Sequence, residues 1–223
     1  MNTKLFFGAI TKFSLGVLIV GALIFIPAGS LNYPNGQIFM ALLFIPMFIA
    51  GIILMIKNPK LLERRLNAKE KGHGQKQVVL FSGLMFVIGF ILAGLNYRHA
   101  WSKLPNVVVI MSSILFIISY AMYGEVLREN SYLSRTIEVE KDQKIVDTGL
   151  YGVVRHPMYT ASILMFLSIP LILGYLISFM IFLIYPVLIV KRIKNEEMVL
   201  EKDLEGYSEY KKEVKYKLFP FVW

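Results

Sequence analysis

The sequence predicts an all-α integral membrane protein with about six transmembrane segments in three hairpins and a cytoplasmic C-terminal amphipathic helix. Its 223 residues are 56% hydrophobic and have a mean hydropathy of +0.60, which is too apolar for an ordinary soluble domain. The charges are also unevenly placed, because no Asp, Glu, Lys or Arg occurs in residues 13–56, 77–97, 104–124 and 158–190. Each run is long enough to cross a bilayer, which takes roughly 20 apolar residues.

The first uncharged run is expected to hold two spans, residues 13–27 and 38–56. Between them, residues 29–36 contain the Gly, Ser, Asn and Pro residues that favour a turn. A cleaved signal peptide is the alternative, since small residues follow the first apolar segment. A second apolar segment follows almost at once, which favours a retained span.

Residues 57–76 carry seven Lys or Arg and two Glu. Within this segment, residues 58–66 are expected to form a short interfacial helix that starts near Pro59 and turns its leucines toward lipid. These leucines are Leu61, Leu62 and Leu66.

The third and fourth spans are expected at residues 78–95 and 107–123. Residues 125–149 are polar, and part of 132–146 alternates in a way that is compatible with a small β-hairpin. The last uncharged run can be one long span or a hairpin of two short helices. Pro170 and Gly174 near its middle favour the hairpin.

With six spans, the basic residues are strongly biased to one side of the membrane. That side holds 22 of the 24 Lys and Arg residues, and only Arg98 and Lys103 fall on the other. By the positive-inside rule, both termini are therefore expected in the cytoplasm.

Composition excludes several kinds of chemistry. Cysteine is absent, which rules out disulfides, thiol nucleophiles and cysteine-ligated metals. Three histidines, two of them in connecting segments, predict no metal site. The net charge of +9 comes from basic residues beside apolar spans, so anionic membrane lipid is the predicted partner rather than nucleic acid. No feature indicates an obligate protein partner.

Residues 149–159 read Gly-Leu-Tyr-Gly-Val-Val-Arg-His-Pro-Met-Tyr. Pro157 lacks a backbone donor and suits the first turn of a helix. A helix N-terminus beside Arg155 and His156, at the edge of an apolar run, suits an anionic or hydroxyl-rich ligand at a membrane surface. The alternative is a juxtamembrane arginine with an interfacial tyrosine.

Residues 191–210 follow the last span and begin with good helix formers. If the helix continues through Gly206, six side chains fall within roughly an 80° arc. They are Arg192, Glu196, Leu200, Asp203, Tyr207 and Tyr210. The alternative is a solvated amphipathic helix, in which the Arg–Glu pair adds only a few tenths of a kcal/mol.

These two stretches together resemble the isoprenylcysteine carboxyl methyltransferase family, to which the phospholipid methyltransferases are related. The shared pattern is Gly-Leu-Tyr-x-x-Val-Arg-His-Pro-x-Tyr, two short apolar segments, Arg-x-x-x-Glu-Glu-x-x-Leu and a Gly-Tyr-x-x-Tyr tail. The resemblance implies a single membrane-embedded methyltransferase domain over residues 1–223, and it is specific from about 149 to 210. Residues 58–66 also resemble a segment of bacterial and archaeal members, which implies a prokaryotic cell membrane.

The resemblance implies S-adenosylmethionine as the methyl donor, bound on the cytoplasmic side. The residues that would line its pocket are His156, Pro157, Tyr159 and Glu197. Ala161 departs from the family pattern, because many relatives have glycine there, which allows a closer approach to the backbone.

The resemblance places Arg192 and Glu196 at the methyl-acceptor end as catalytic residues, and implies a lipophilic small molecule or prenylated substrate. A carboxylate acceptor is already ionised at neutral pH and needs no general base. Arg192 can hold such a carboxylate as a fork while Glu196 holds Arg192. Carboxyl O-methylation of an isoprenylcysteine-type or other lipophilic carboxylate is therefore favoured.

Three alternatives remain open. A phospholipid N-methyltransferase would place Glu196 beside the acceptor's ammonium group. An NADPH-dependent sterol-type reductase shares an Arg-His-Pro-x-Tyr element, but typically reads Asn-Tyr-x-Gly-Glu after His-Pro, whereas this chain reads Met-Tyr-Thr-Ala-Ser. A non-catalytic membrane protein on the same scaffold is disfavoured by the intact motif residues.

Overall fold

A computed structural model describes residues 3–66, 73–134, 137 and 139–223, with side chains in the fourth helix from Lys76 onward. Its described residues form α-helices and no β-strand, which confirms the predicted fold class. The helices are α1 (Thr3–Ala28), α2 (Pro34–Lys57), α3 (Pro59–Leu66), α4 (His73–His99), α5 (Asn106–Glu129), α6 (Pro157–Ile172), α7 (Leu176–Phe182), α8 (Ile184–Asp203) and α9 (Tyr207–Glu213). A single 3-10 turn, Gly149–Gly152, precedes α6.

Five helical stretches of the described chain are long and apolar enough to cross a membrane. They are α1, α2, α4 from Lys76, α5, and α7 with α8 over Leu176–Asp203. Helix α6 is also apolar but has only 16 residues. These six segments follow the predicted order, and the protein is an integral membrane protein. Helices α1, α2, α4 and α5 extend beyond the predicted spans because the flanking residues continue the helix.

The last uncharged run is a hairpin, as predicted. Helix α6 ends at Ile172, and Gly174 then takes a φ of +88° that favours glycine over other residues. Pro170 lies inside α6, so the glycine rather than the proline reverses the chain. Only Leu183 separates α7 from α8.

The turns of the three hairpins meet at one end of the bundle. The backbone N–H of Leu104 donates to the carbonyl of Gly174 at 2.9 Å. The hydroxyl of Tyr33 donates to the carbonyl of Leu173 at 2.6 Å, and the rings of Tyr33 and Tyr97 stack with centroids 4.3 Å apart. The opposite end therefore holds α3, the described part of residues 130–156 and the polar end of α8.

Helix α6 lies at the centre of the bundle. Eleven of its residues are buried, and it packs against α2, α4, α5, α7 and α8. Helices α1 and α2 bury few of their side chains, as expected for helices that face lipid. Although α4 and α5 are consecutive, α4 packs on α1 and α7–α8, whereas α5 packs on α6.

Two local predictions are wrong. Helix α3 forms at the predicted place, but Leu61 and Leu62 are buried by protein rather than turned to lipid, because α3 packs on α2. The described part of 132–146 contains no strand; a turn between Glu140 and Gln143 interrupts it. Residues 135, 136 and 138 of that predicted hairpin lie outside the described part of the chain.

Candidate functional site

Residues 149–159, the central motif, are held in place by the C-terminal tail, residues 214–223. The backbone N–H of Arg155 donates to the carbonyl of Tyr216, and that of His156 to the carbonyl of Lys217, both at 2.9 Å. Pro157 then begins α6, as predicted. The tail therefore fixes the backbone immediately before the N-terminus of α6.

A buried network fixes the same motif through Glu197. Arg155 and Glu197 are each 5% exposed, and Arg155 Nε donates to Glu197 Oε1 at 2.9 Å. Arg155 Nη1 also donates to two tail carbonyls at 2.6 and 2.9 Å. Lys217 Nζ lies 2.7 Å from Glu197 Oε2, and His156 Nε2 lies 3.3 Å from Glu197 Oε1. Each Glu197 oxygen thus has a cationic partner or His156 beside it.

A cavity lies next to this network, between the first turn of α6, the polar end of α8, α9 and residues 130–146. It offers about 110 Å³ to water-sized molecules, well above the roughly 10–15 Å³ that one water needs. Five residues predicted for the site line it: His156, Pro157, Tyr159, Arg192 and Glu196. The sixth, Glu197, is not in the lining, and its role in cofactor binding stays a prediction.

Tyr159 connects the two residues predicted at the acceptor end. Arg192 Nε donates to the Tyr159 hydroxyl at 2.9 Å, and that hydroxyl donates to Glu196 Oε2. His156 Nδ1 lies 4.0 Å from Glu196 Oε1. Arg192 and Glu196 reach the same phenol because they lie one turn apart on α8. The predicted cofactor residues and acceptor residues therefore form one continuous group.

The face predicted for residues 191–210 does not belong to one helix. Helix α8 ends at Asp203, and Gly206 takes a φ of +81°. The break turns the chain so that Tyr207 and Tyr210, on the separate helix α9, still line the cavity. Asp203 is not among the lining residues.

Three buried tyrosines, two of them on α9, form one wall of the cavity: Tyr151, Tyr207 and Tyr210. Tyr210 donates to the carbonyl of Tyr151 at 2.7 Å, and Asn130 Nδ2 donates to the Tyr151 hydroxyl at 3.0 Å. The Tyr207 hydroxyl is buried and has no hydrogen-bond partner among the described residues. Burial raises the pKa of all three tyrosines above the ordinary phenol value, so they stay neutral at pH 7.

The wall formed by residues 130–146 was missed by sequence reasoning. It contributes Asn130, Tyr132, Ile145 and others to the lining. This segment has no helical periodicity, and its polar composition is typical of a surface loop, so the sequence carries no direct signal that it closes a cavity.

The lining suits a ligand that is partly aromatic, partly cationic and partly hydroxylated. Tyrosine rings can stack on a flat base and attract a cation. Glu196 adds a carboxylate, and the Tyr207 hydroxyl is a donor without a protein acceptor among the described residues. These aromatic, anionic and hydroxyl groups are of the chemical types that can contact the adenine, sulfonium and hydroxyl groups of S-adenosylmethionine.

The chain is similar to a protein family and, over part of its length, to a sterol reductase. The family model described as phospholipid methyltransferase matches residues 104–205, just under half of the chain, from the loop before α5 to the end of α8. Delta(14)-sterol reductase TM7SF2 of Mus musculus is 32% identical over 91 residues, which is 40% of this chain and 22% of the reductase. The chain therefore spans about a fifth of that relative's length. Over α5–α8, which carry the central motif and the Arg192–Glu196 pair, the chain is similar to the phospholipid methyltransferase family.

Proposed function

We propose that this protein is an S-adenosylmethionine-dependent membrane methyltransferase acting on a lipophilic acceptor, and that the reaction is carboxyl O-methylation. The observation that carries the proposal is the hydrogen-bonded chain Arg192–Tyr159–Glu196, which lines a cavity at the end of the transmembrane helices. This chain lies within the region that is similar to the phospholipid methyltransferase family.

When bound, S-adenosylmethionine supplies a methyl group on a sulfonium centre, so the protein has mainly to position the acceptor and exclude water. The tyrosine wall fits the cationic donor. His156 is 4% exposed and faces Glu197 with Nε2 and Glu196 with Nδ1. It is therefore held in one orientation at the cavity wall, where it can bind the donor.

On the acceptor side, two hydrogen bonds through the Tyr159 hydroxyl orient the guanidinium of Arg192. The Tyr159 hydroxyl donates a hydrogen bond to Glu196, so its oxygen lone pairs can accept the hydrogen bond from Arg192 Nε. The guanidinium is thereby oriented beside the cavity, and its planar array of N–H donors matches a carboxylate. The acceptor carboxylate is ionised at neutral pH, so no residue has to remove a proton from it.

Methylation of an amine, as in a phospholipid N-methyltransferase, is the related alternative. An ammonium group has to lose a proton before it can attack, and Glu196 would then be the residue nearest to that charge. A carboxylate acceptor and an amine acceptor predict different rates of methyl transfer for substitutions at Arg192 and Glu196.

The test uses Arg192→Lys and Glu196→Gln in membranes supplied with labelled S-adenosylmethionine. For a carboxylate acceptor, Arg192→Lys loses the planar fork and slows transfer about tenfold to a hundredfold, the equivalent of about 1.5–3 kcal/mol. The label then appears as a base-labile ester. For an amine acceptor, Glu196→Gln is the severe variant, and the rate rises with pH as the ammonium deprotonates. Wild-type turnover in both variants would reduce the pair to a structural contact.

The match to a sterol reductase supports a second candidate, an NADPH-dependent reductase. Cofactor binding separates the two. Thermal unfolding of the detergent-purified protein should shift with S-adenosylmethionine and not with NADPH, and His156→Ala or Tyr159→Ala should weaken that shift without unfolding the protein. A shift with NADPH alone would reverse the assignment.

A further inference from the structure

Two adjacent arginines on α3 have different kinds of partner. Arg64 pairs with the carboxylate of Glu140 and donates to the carbonyl of Ser131 at 2.6 Å. Arg65 has no carboxylate partner among the described residues. Arg64 therefore fastens the loop that forms one cavity wall, whereas the charge of Arg65 is not neutralised in this way.

Among the described residues, the partners of Arg65 are all uncharged. Its Nη1 donates to the carbonyl of Ser134 at 3.2 Å and lies 3.8 Å from the sulfur of Met158. Its Nη2 donates to the hydroxyl of Tyr123, and the guanidinium lies 5.5 Å from the centre of the same ring. A half-buried guanidinium with only neutral acceptors leaves its charge uncompensated, which favours binding of an anion.

Arg65 lies at the rim of the cavity. Ser134 and Met158 belong to the cavity lining, and Tyr123 lies near the end of the transmembrane helix α5. Arg192 lines the cavity itself, whereas Arg65 contacts the cavity lining from the side where α5 continues into the apolar bundle.

We propose that Arg65, assisted by Tyr123, is an anion-binding subsite that holds a phosphate or a second, non-reacting carboxylate of a lipid at the membrane-facing rim of the cavity. The assignment of that lipid as the methyl acceptor rests on the proposed function. A guanidinium suits both anions because its parallel N–H groups bind two oxygens at once. An acceptor chain can then remain among the apolar helices while its polar group reaches the cavity.

The test is a binding measurement that needs no turnover. The purified protein in phosphatidylcholine nanodiscs is titrated with dodecyl phosphate, laurate, dodecanol and inorganic phosphate, and thermal unfolding is followed. Dodecyl phosphate, laurate or both should raise the unfolding temperature, and dodecanol and inorganic phosphate should not. Arg65→Gln should weaken this binding about tenfold to a hundredfold, and Arg65→Lys should weaken it less.

Lys60→Gln is the matched control, because it removes an exposed positive charge from the same helix, away from the cavity lining. It should leave the affinity for the anionic amphiphiles within about twofold of wild type. Equal loss in Lys60→Gln and Arg65→Gln would overturn the subsite in favour of a general effect of surface charge. An equal response to inorganic phosphate would overturn the assignment to a lipid.

A kinetic arm separates this inference from the proposed function. With an anionic acceptor, Arg65→Gln should raise the KM for the acceptor about tenfold or more and leave the affinity for S-adenosylmethionine unchanged. If the wild-type protein transfers no methyl group but Arg65 still governs binding of dodecyl phosphate or laurate, the methyltransferase proposal fails and the anion subsite stands. If methyl transfer occurs and Arg65→Gln changes neither binding nor KM, the subsite fails alone.

Discussion

Tyr207 and Tyr210 lie one turn apart on α9, and their hydroxyl groups have opposite hydrogen-bond status. Tyr210 donates to the carbonyl of Tyr151 at 2.7 Å, whereas the buried hydroxyl of Tyr207 has no partner in the described chain. An unsatisfied buried hydroxyl costs stability, and a satisfied one does not. The unpaired hydroxyl of Tyr207 therefore lowers the stability of the ligand-free protein, and a bound molecule that accepts its hydrogen bond can remove this effect.

We predict that Tyr207→Phe leaves the thermal stability of the ligand-free protein unchanged or raises it. Tyr210→Phe should lower the free energy of unfolding by about 1–3 kcal/mol, because it leaves a buried carbonyl unpaired. Thermal unfolding of the two detergent-purified variants checks this. Equal destabilisation by both changes would mean that Tyr207 has a protein partner of its own.

Glu197 and Glu201 lie one turn apart on α8 and provide a second matched pair. Glu197 is 5% exposed and binds Arg155, whereas Glu201 forms an exposed pair with Lys211. Glu197→Gln should lower the free energy of unfolding by about 3–5 kcal/mol, because it leaves buried cations uncompensated. Glu201→Gln should change it by less than about 1 kcal/mol. Urea or thermal unfolding measures both, and a similar small effect would place Glu197 outside the buried network.

Residue types and spacing predicted the part of the cavity lining that α6, α8 and α9 contribute, but not the direction of every side chain. Arg192 and Glu196 were expected on one face because they lie four residues apart, and they do meet at Tyr159. Glu197 is turned by about 100° from Glu196 and faces the C-terminal tail instead. The sequence could not show this, because Lys217 carries no motif that marks it as a partner of Glu197.

At the scale of the elements, the turn Gly149–Gly152 depends on a glycine at its start. Gly149 has a φ of +53°, and a Cβ there would lie 1.6 Å from an oxygen of Glu129. That carboxylate also accepts a hydrogen bond from the backbone of Leu150 at 3.2 Å. Any side chain at residue 149 would therefore have to adopt a left-handed backbone conformation and displace the Glu129 carboxylate at the end of α5.

We predict that Gly149→Ala lowers the free energy of unfolding by about 1–3 kcal/mol and reduces methyl transfer, because the motif that follows is displaced. Gly83→Ala is the control, since a Cβ there meets nothing within 4 Å. In a helix interior, that change should stabilise by about 0.5–1 kcal/mol. Opposite signs in thermal unfolding support the steric argument, and two stabilising effects would contradict it.

The apolar elements could be predicted because charge is excluded from the hydrocarbon region, which leaves long uncharged runs in the sequence. The polar elements could not be predicted as well. Gly206 breaks the helix that charge spacing alone would continue, and its backbone conformation is visible only in the structure. The described part of 132–146 forms no strand despite its alternation, and near its start Arg64 and Arg65 bind the carbonyls of Ser131 and Ser134.

At the scale of the whole molecule, the positions of the turns give a direct topology test. The hairpin turns meet at one end, and the polar tail lies at the other. We predict that a reporter fused after Pro105 and one fused at the C-terminus report opposite compartments, with the C-terminus cytoplasmic. Reporters that agree would contradict the six-segment order.

Helix order along the chain did not predict which helices pack together. Helix α4 packs closely on α1 and α7 rather than on its neighbour α5. Two of its glycines lie at these contacts, where a side chain would not fit. A Cβ at Gly94 would lie 2.4 Å from the carbonyl oxygen of Ile24, and one at Gly89 would lie 2.4 Å from the ring of Phe182. Small residues allow such close helix packing in membranes, but the sequence alone does not say which partner will fill the space.

The length of α6 has a further consequence. Its 16 residues cover about 24 Å at 1.5 Å per residue, less than the roughly 30 Å of a hydrocarbon core. Its far end is tied to the other hairpin turns through Gly174, so the shortfall lies at the end that carries His156 and Tyr159. For the proposed methyl transfer, we therefore expect the cavity to open below the plane of the headgroups. The rate should then follow the mole fraction of acceptor within the bilayer, so that diluting the acceptor with inert lipid slows the reaction whereas diluting the vesicles in buffer does not.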